Sequence, residues 1–278
     1  MGAVFREHPK QMQPAPRSQV RTEHPAQGFD PRHLSTDLLV WCRADAGVET
    51  NGSTVSKWRD MSGKGRDFSQ GTASSQPAFK AKGQGGKPEI FFDDDKLTGS
   101  DLYATLADKG EWAIIIVLGK GWSDPNGVAA SNFSNSINVF VANPAVGHIG
   151  IAQLSNTYGG FSGGIYAGGG YSGYRFTTTV TESKISPSEP VVVSLYSSAS
   201  GITSRQNGVD GTTAAATDLI SGASTMQLGD APDNNSNALE YYYGPISELI
   251  IFDGALNQND RAMVEQYLGD RYGIHMAG

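Results

Sequence analysis

Cysteine is almost absent: the 278-residue chain has one, Cys42, which excludes an intramolecular disulfide framework and a multi-cysteine metal site. Cys42 stands beside Trp41 in an apolar run, so a buried, inert thiol is predicted rather than a reactive one. Charged residues make up only 18% of the chain, and long apolar runs are missing. No stretch approaches the roughly 18 residues that a membrane-spanning helix requires. The amino-terminal segment lacks the apolar centre of a secretory signal, so synthesis in the cytosol without export is expected. Arg6 stands where the myristoylation pattern requires Ser or Thr. Histidine is scarce beyond residue 34, where only His148 and His275 occur, and a Ser-His-acid triad has little to build on.

What is plentiful points to strands and turns. The chain has 35 Gly, 13 Pro, 11 Tyr and 11 Phe, the composition of an all-β protein. Hydrophobic residues make up 38%, and a domain of this length hides about three-quarters of the surface its unfolded chain exposes. The net charge of −7 is uneven. Residues 1–34 carry five basic against three acidic side chains, whereas the remainder carries 16 against 25. An acidic body argues against nucleic acid as its partner.

Residues 1–34 hold five of the prolines (Pro9, Pro14, Pro16, Pro25 and Pro31) and almost no apolar periodicity. Such a segment does not offset the entropy of ordering itself. It reads either as a loose tail or as an extended arm that orders across another subunit. In the second case Phe5 and Phe29 are the anchors, with Arg6, Arg17 and Arg21 as charged contacts.

From Leu38 onward, short apolar runs alternate with turn clusters. Leu38 to Trp41, Glu89 to Phe92, Trp112 to Leu118, Ile137 to Val141, Val191 to Tyr196 and Ile246 to Phe252 read as strands, several of them covered on both faces. Gln206-Asn207-Gly208-Val209 predicts a tight type I′ hairpin, because Asn-Gly supplies positive φ cheaply at both central positions. One helix is expected: Asn257 caps it, Asp260 sits in its first turn, Met263, Val264, Tyr267, Leu268 and Tyr272 form its apolar face, and Gly273 stops it. The Gly-Tyr stretch from Tyr158 to Phe176 reads as a long surface loop.

Two blocks at opposite ends resemble a known family. The first comprises Leu39-Val40-Trp41-Cys42-Arg43-Ala44-Asp45, then Trp58-Arg59-Asp60-Met61-Ser62-Gly63-Lys64-Gly65-Arg66-Asp67, then Gly86-Lys87-Pro88-Glu89-Ile90-Phe91-Phe92-Asp93. It resembles the opening of concanavalin A-like lectin/glucanase domains of the laminin G-like branch. The second, Gly244-Pro245-Ile246-Ser247-Glu248-Leu249-Ile250-Ile251-Phe252-Asp253 with the helix after it, is similar to that family's last strand and closing helix. The resemblance implies an all-β fold: a two-sheet antiparallel jelly-roll sandwich over residues 35–278 with one C-terminal helix, carried behind the extended arm 1–34. Physical reasons stand beside it. Trp58 is expected to bury its ring, with Trp41 a further structural residue, while Asp60 and Asp67 accept backbone N–H bonds that close the Ser62–Gly65 turn. In the strand from Glu89, the two-residue period turns Ile90 and Phe92 to the core and leaves Phe91 over the outer surface.

Catalysis finds no support in the pattern. Glucanases of this fold carry Glu-x-Asp-x-x-Glu on one strand, and here Glu182, Glu189, Glu240 and Glu248 are scattered. Gly160-Phe161-Ser162-Gly163-Gly164 matches the nucleophile-elbow spelling without the strand and helix that motif needs. A non-enzymatic protein is expected. The resemblance implies two binding chemistries. Calcium would be held by Asp93, Asp94, Asp95, Asp230 and Asp233, which otherwise read as solvated acidic turns. A cell-surface glycan would stack on Trp122, Tyr166, Tyr171, Tyr174 and Tyr242, although neighbouring tyrosines of a strand also divide between core and surface. A cytosolic origin, no disulfide and a terminal arm together suggest a phage virion structural protein. It would be a homo-oligomeric head decoration, head fibre or tail appendage on the virion surface, joined through the arm to capsid or tail proteins and binding no membrane. A carbohydrate-binding module is the alternative, and a glucanase-type enzyme a third.

Overall fold

Trp112-Ala-Ile-Ile-Ile-Val-Leu118 has no polar residue at either parity, so as a strand it must be covered on both faces, and all seven residues are buried. The computed structural model of the protein describes residues 28–102, 105–106, 110–121, 137–142, 147–153, 161–167, 189–214, 225–229 and 242–277. Its strands are β1 (Asp37–Arg43), β2 (Val48–Asn51), β3 (Thr54–Trp58), β4 (Phe68–Ser69), β5 (Ala78–Lys80), β6 (Glu89–Phe92), β7 (Leu97–Asp101) and β8 (Trp112–Leu118). They continue as β9 (Ile137–Ala142), β10 (Gly147–Gln153), β11 (Phe161–Ala167), β12 (Val191–Ser198), β13 (Gly201–Gln206), β14 (Val209–Ala214), β15 (Thr225–Leu228) and β16 (Gly244–Asp253). One helix, α1 (Gln258–Tyr272), closes the described chain.

Every strand pairing is antiparallel, and the strands form two layers. The first runs β1-β16-β8-β12-β13-β14 and the second runs β11-β10-β9-β15-β7-β4-β3-β5-β6, with β2 beside β3. β6 also pairs with the start of β16, so the layers are joined there. Between them lies one core: Val40, Cys42, Ile114, Ile116, Val193, Leu195, Leu249 and Ile251 from the first layer meet Val55, Trp58, Phe68, Ile90, Phe92, Leu97 and Leu228 from the second. Burial pushes the Cys42 thiol well above its ordinary range, which keeps it protonated and inert. The predicted all-β sandwich with one terminal helix is the observed architecture.

The opposite face of the first layer is equally apolar and is covered by α1. Trp41, Ala113, Ile115, Val117, Val192, Tyr196, Ile250 and Phe252 pack against Val264, Tyr267, Leu268 and Tyr272. Burying those four helix residues supplies roughly 2 kcal/mol per side chain, more than the few tenths per residue that propensity offers. A bulge between Leu38 and Val40 lets β1 place Leu39 and Val40 in the core while Leu38 and Trp41 face the helix. The helix begins where expected: Asn257 Oδ1 accepts from Asp260 N at 2.9 Å, and Gly273, at φ 65°, ends it. Met263, assigned to the apolar face, is 38% exposed, and Glu265 is buried instead. The segment before β1 belongs to this layer too. Phe29 packs on Tyr267 with ring centroids 5.3 Å apart, and Arg32 lies 5.4 Å from the Trp41 ring. No helix among the described residues is long and apolar enough to cross a membrane.

Within the Gly-Tyr stretch, predicted as a loop, residues 161–167 form β11 and pair residue by residue with β10, Phe161 opposite Gln153 and Ala167 opposite Gly147. Backbone hydrogen bonds do not need side chains, so glycines that weaken strand propensity still permit a ladder. Ser162 therefore lies in a strand opposite Ala152, not on a strand-to-helix elbow.

Candidate functional site

Beyond the C-terminal end of α1, the outer face of the first layer continues onto β6 and β5, where no helix among the described residues covers it. Phe91 stands at the centre, half-buried, with Pro245 opposite it on β16 and Ala78 opposite it on β5. Tyr243, two residues before Pro245 and so on the same face, meets the Phe91 ring edge-on at 5.0 Å and 87°. The exposed Lys80 places Nζ 3.3 Å from the centroid of the Phe91 ring. This is an aromatic platform with one cation resting on it.

Beside the platform a carboxyl is recessed. Glu89, paired directly with Lys80 across β5 and β6, is only 7% exposed. Its Oε2 accepts from Gln84 N at 3.2 Å. Two glycines make room for it: a Cβ on Gly83 would overlap the carboxylate, and one on Gly119 would approach Oε2 to 2.8 Å. Burial raises the Glu89 pKa, partly offset by the Gln84 N–H and Lys80. The loop carrying Gln84 is held by the helix end, since Gln84 Nε2 donates to Tyr272 O at 2.8 Å. Gly85, at φ 61°, packs where a Cβ would come within 2.9 Å of Tyr272 Cα. A half-exposed aromatic pair, an ammonium and a buried carboxyl on rigid strands can stack on the apolar face of a sugar ring and hydrogen-bond its hydroxyls.

No family model matches the chain, and no curated protein matches it either. Solved structures do. Domain 4 of an extracellular GH43 arabinanase from Geobacillus stearothermophilus, determined with arabinotriose, superposes with a TM-score of 0.53 at 15% identity, covering 84% of this chain and 98% of that one. Botulinum neurotoxin type C, in a structure concerned with its two ganglioside molecules, gives 0.54 at 10% identity, covering 84% and 51%. Trypanosoma rangeli sialidase with the inhibitor DANA gives 0.52 at 10% identity, covering 87% and 34%. The likeness is one of fold. The chain spans the whole arabinanase domain, about half of the toxin chain and about a third of the sialidase.

The platform differs from the residues expected to bind sugar. Tyr242 is a correction: it is fully buried, its ring 6.3 Å from Phe92 and its hydroxyl donating to Pro245 O at 3.1 Å, so it cannot face a ligand. Tyr243 takes the outward position. Tyr166 lies on β11 opposite His148, while Trp122, Tyr171 and Tyr174 fall outside the described residues. Of the calcium candidates, Asp230 and Asp233 also fall outside them. Asp93, Asp94 and Asp95 form a turn in which Asp95 Oδ2 accepts from Asp93 N at 3.1 Å, and among the described residues no three acidic, histidine or cysteine groups gather as a metal site. Phe29, expected to anchor a partner, is packed on its own chain, and Phe5, Arg6, Arg17 and Arg21 lie outside the described residues.

Asp60 is a hub: Oδ1 accepts from Trp41 N at 2.9 Å and Ser62 N at 2.8 Å, and Oδ2 from Arg66 N at 3.0 Å. Asp67 Oδ1 accepts from Asp60 N at 2.9 Å, and Trp58 is fully buried. The sequence placed Glu248 only among scattered glutamates without a role, and it is fully buried beneath α1. It accepts from Trp41 Nε1 at 2.7 Å, Tyr267 OH at 3.0 Å and Tyr272 OH at 2.8 Å, with Arg271 Nε 3.3 Å away. Burial raises its pKa against these partners. A carboxylate with all its neighbours inside the protein pins helix to sheet and offers nothing to a substrate. Its only sequence signal was a charged residue inside an otherwise apolar strand.

Proposed function

We propose that this chain is a non-catalytic carbohydrate-binding β-sandwich module whose site is the rim formed by Phe91, Tyr243, Lys80 and Glu89. The observation that carries the reading is the half-exposed aromatic platform, left free of α1 among the described residues, beside a recessed carboxyl on an outer face that is elsewhere sealed by that helix. The fold is shared with the arabinanase domain determined with arabinotriose and with the binding domain of botulinum neurotoxin DC determined with a sialylated ligand, which supports a sugar as occupant. Glu89 is the one carboxyl among the described residues of this rim, whereas glycoside hydrolysis uses a pair, which supports a reading of binding without cleavage. A glycan panel probed with the wild type and with Phe91→Ala and Tyr243→Ala tests this. Binding weakened roughly tenfold by each substitution, with no release of reducing sugar, is expected. A panel without ligands, variants that bind unchanged, or cleavage of any bound polysaccharide would overturn it.

A role as a displayed virion subunit is a second, separable proposal, favoured by the way Phe29 and Arg32 fix the root of the preceding segment to α1 and β1. Removing residues 1–27 should then leave glycan binding intact and abolish incorporation into particles. Retained incorporation would remove the arm from the account.

A further inference from the structure

We infer that the ligand of this rim is an acidic sugar, carrying a carboxylate or a sulfate, and that Lys80, Lys82, Lys87 and Lys120 supply the charge that selects it. The inference rests on the glycan-binding reading and names its ligand class. Four of the chain's ten lysines are paired with, or next along the chain or hydrogen-bonded through their backbone to, residues that line one recess. Lys80 is the cross-strand partner of Glu89. Lys82 precedes Gly83, whose backbone abuts the Glu89 carboxyl, and Lys87 O accepts from Gly83 N at 2.7 Å. Lys120 follows Gly119, the other glycine against that carboxyl.

Elsewhere several of the described cations are paired with carboxylates. Lys57 lies 3.8 Å from Asp67 and Lys64 2.9 Å from Asp37, while Arg43, Arg205 and Arg271 all have carboxylate partners. Among the described residues, none of the four rim lysines is in an ion pair. Lys80 rests on a ring face instead. A ring stacking on Phe91 must displace that ammonium, and an anionic substituent gives it a partner in addition to the recessed Glu89 carboxyl. Burial raises the Glu89 pKa, so this carboxyl opposes a nearby anion less than an exposed carboxylate would. A local excess of positive charge on a body with 16 basic against 25 acidic residues also steers acidic ligands to this rim over the rest of the surface.

The test uses the full chain with sialyllactose, a heparin-derived hexasaccharide, lactose and a single-stranded polynucleotide, at low and high salt. It compares the wild type, the Lys80→Gln/Lys82→Gln/Lys120→Gln variant and, as a control, Lys64→Gln. The acidic sugars should bind more tightly than lactose and lose affinity with salt, the triple change should weaken them roughly tenfold without altering the thermal midpoint, and the control should match the wild type. Sialyllactose carries a carboxylate alone and the heparin hexasaccharide carries carboxylates and sulfates together, so tight binding of sialyllactose shows that a carboxylate suffices, and binding of heparin alone shows that sulfate is needed. Lactose binding as tightly, with the triple variant unaffected, would overturn the acidic assignment and leave the glycan reading standing. No binding of any sugar would remove both, and polynucleotide binding equal to that of the sulfated sugar would make the rim a general polyanion surface and overturn the inference.

Discussion

Asp95 sits half-buried in the turn after β6, where burial, followed by the nearby Asp93 and Asp94 charges, raises its pKa from 3.8 to about 6. Below about pH 4 the carboxyl is protonated in folded and unfolded chains alike. Between about pH 4 and pH 6 only the folded chain holds the proton, so stability falls as pH rises through that window. Asparagine does not titrate and can still accept the Asp93 N–H. Relative to Asp95→Asn, the wild type should lose about 1 kcal/mol between about pH 4 and pH 7, the full shift being discounted because the group is partly solvated. Urea denaturation of both proteins across that range measures it, and a difference that stays constant with pH would contradict the assignment. At this scale the sequence was only partly legible. The outward position of Phe91 followed from the two-residue period, but Tyr242 was assigned the outward place that Tyr243 holds, because the strand they lead into, β16, is buried on both faces and has a register shift between Ile246 and Glu248.

Elements were legible where local chemistry specifies them. Asn207 and Gly208 adopt φ 48° and 85°, the left-handed pair a type I′ turn demands, and the turn is further held by Ala277 N donating to Asn207 O at 2.8 Å. Helix α1 was legible through its cap, its stop and its apolar spacing. Its second function was not: the end of α1 holds the Gln84 loop, which in turn walls the Glu89 recess, a connection between residues far apart in sequence that no local pattern records. β11 was missed for a related reason. A strand of Phe-Ser-Gly-Gly-Ile-Tyr-Ala is specified by its neighbour's backbone and not by its own side chains.

At the scale of the whole molecule, the first layer divides its outer surface between two uses. One part is closed by α1 around Glu248, and the part past the helix end presents Phe91 and Tyr243 between lysines. Burial of Glu248 makes the closed part a fixed reference, and Lys80, Glu89 and Phe91 of the rim stand on the strands β5 and β6. The sandwich itself was readable from composition and the two terminal blocks. The rim was not, because its residues come from three separate stretches of chain near positions 80–91, 119–120 and 243–245. The most direct measurement is a backbone amide NMR titration of the full chain with whichever oligosaccharide a glycan panel selects. Shifts concentrated at Gly83, Gln84, Phe91, Gly119 and Tyr243 are the predicted result. Shifts centred on β9 to β11 with this rim silent would contradict the account.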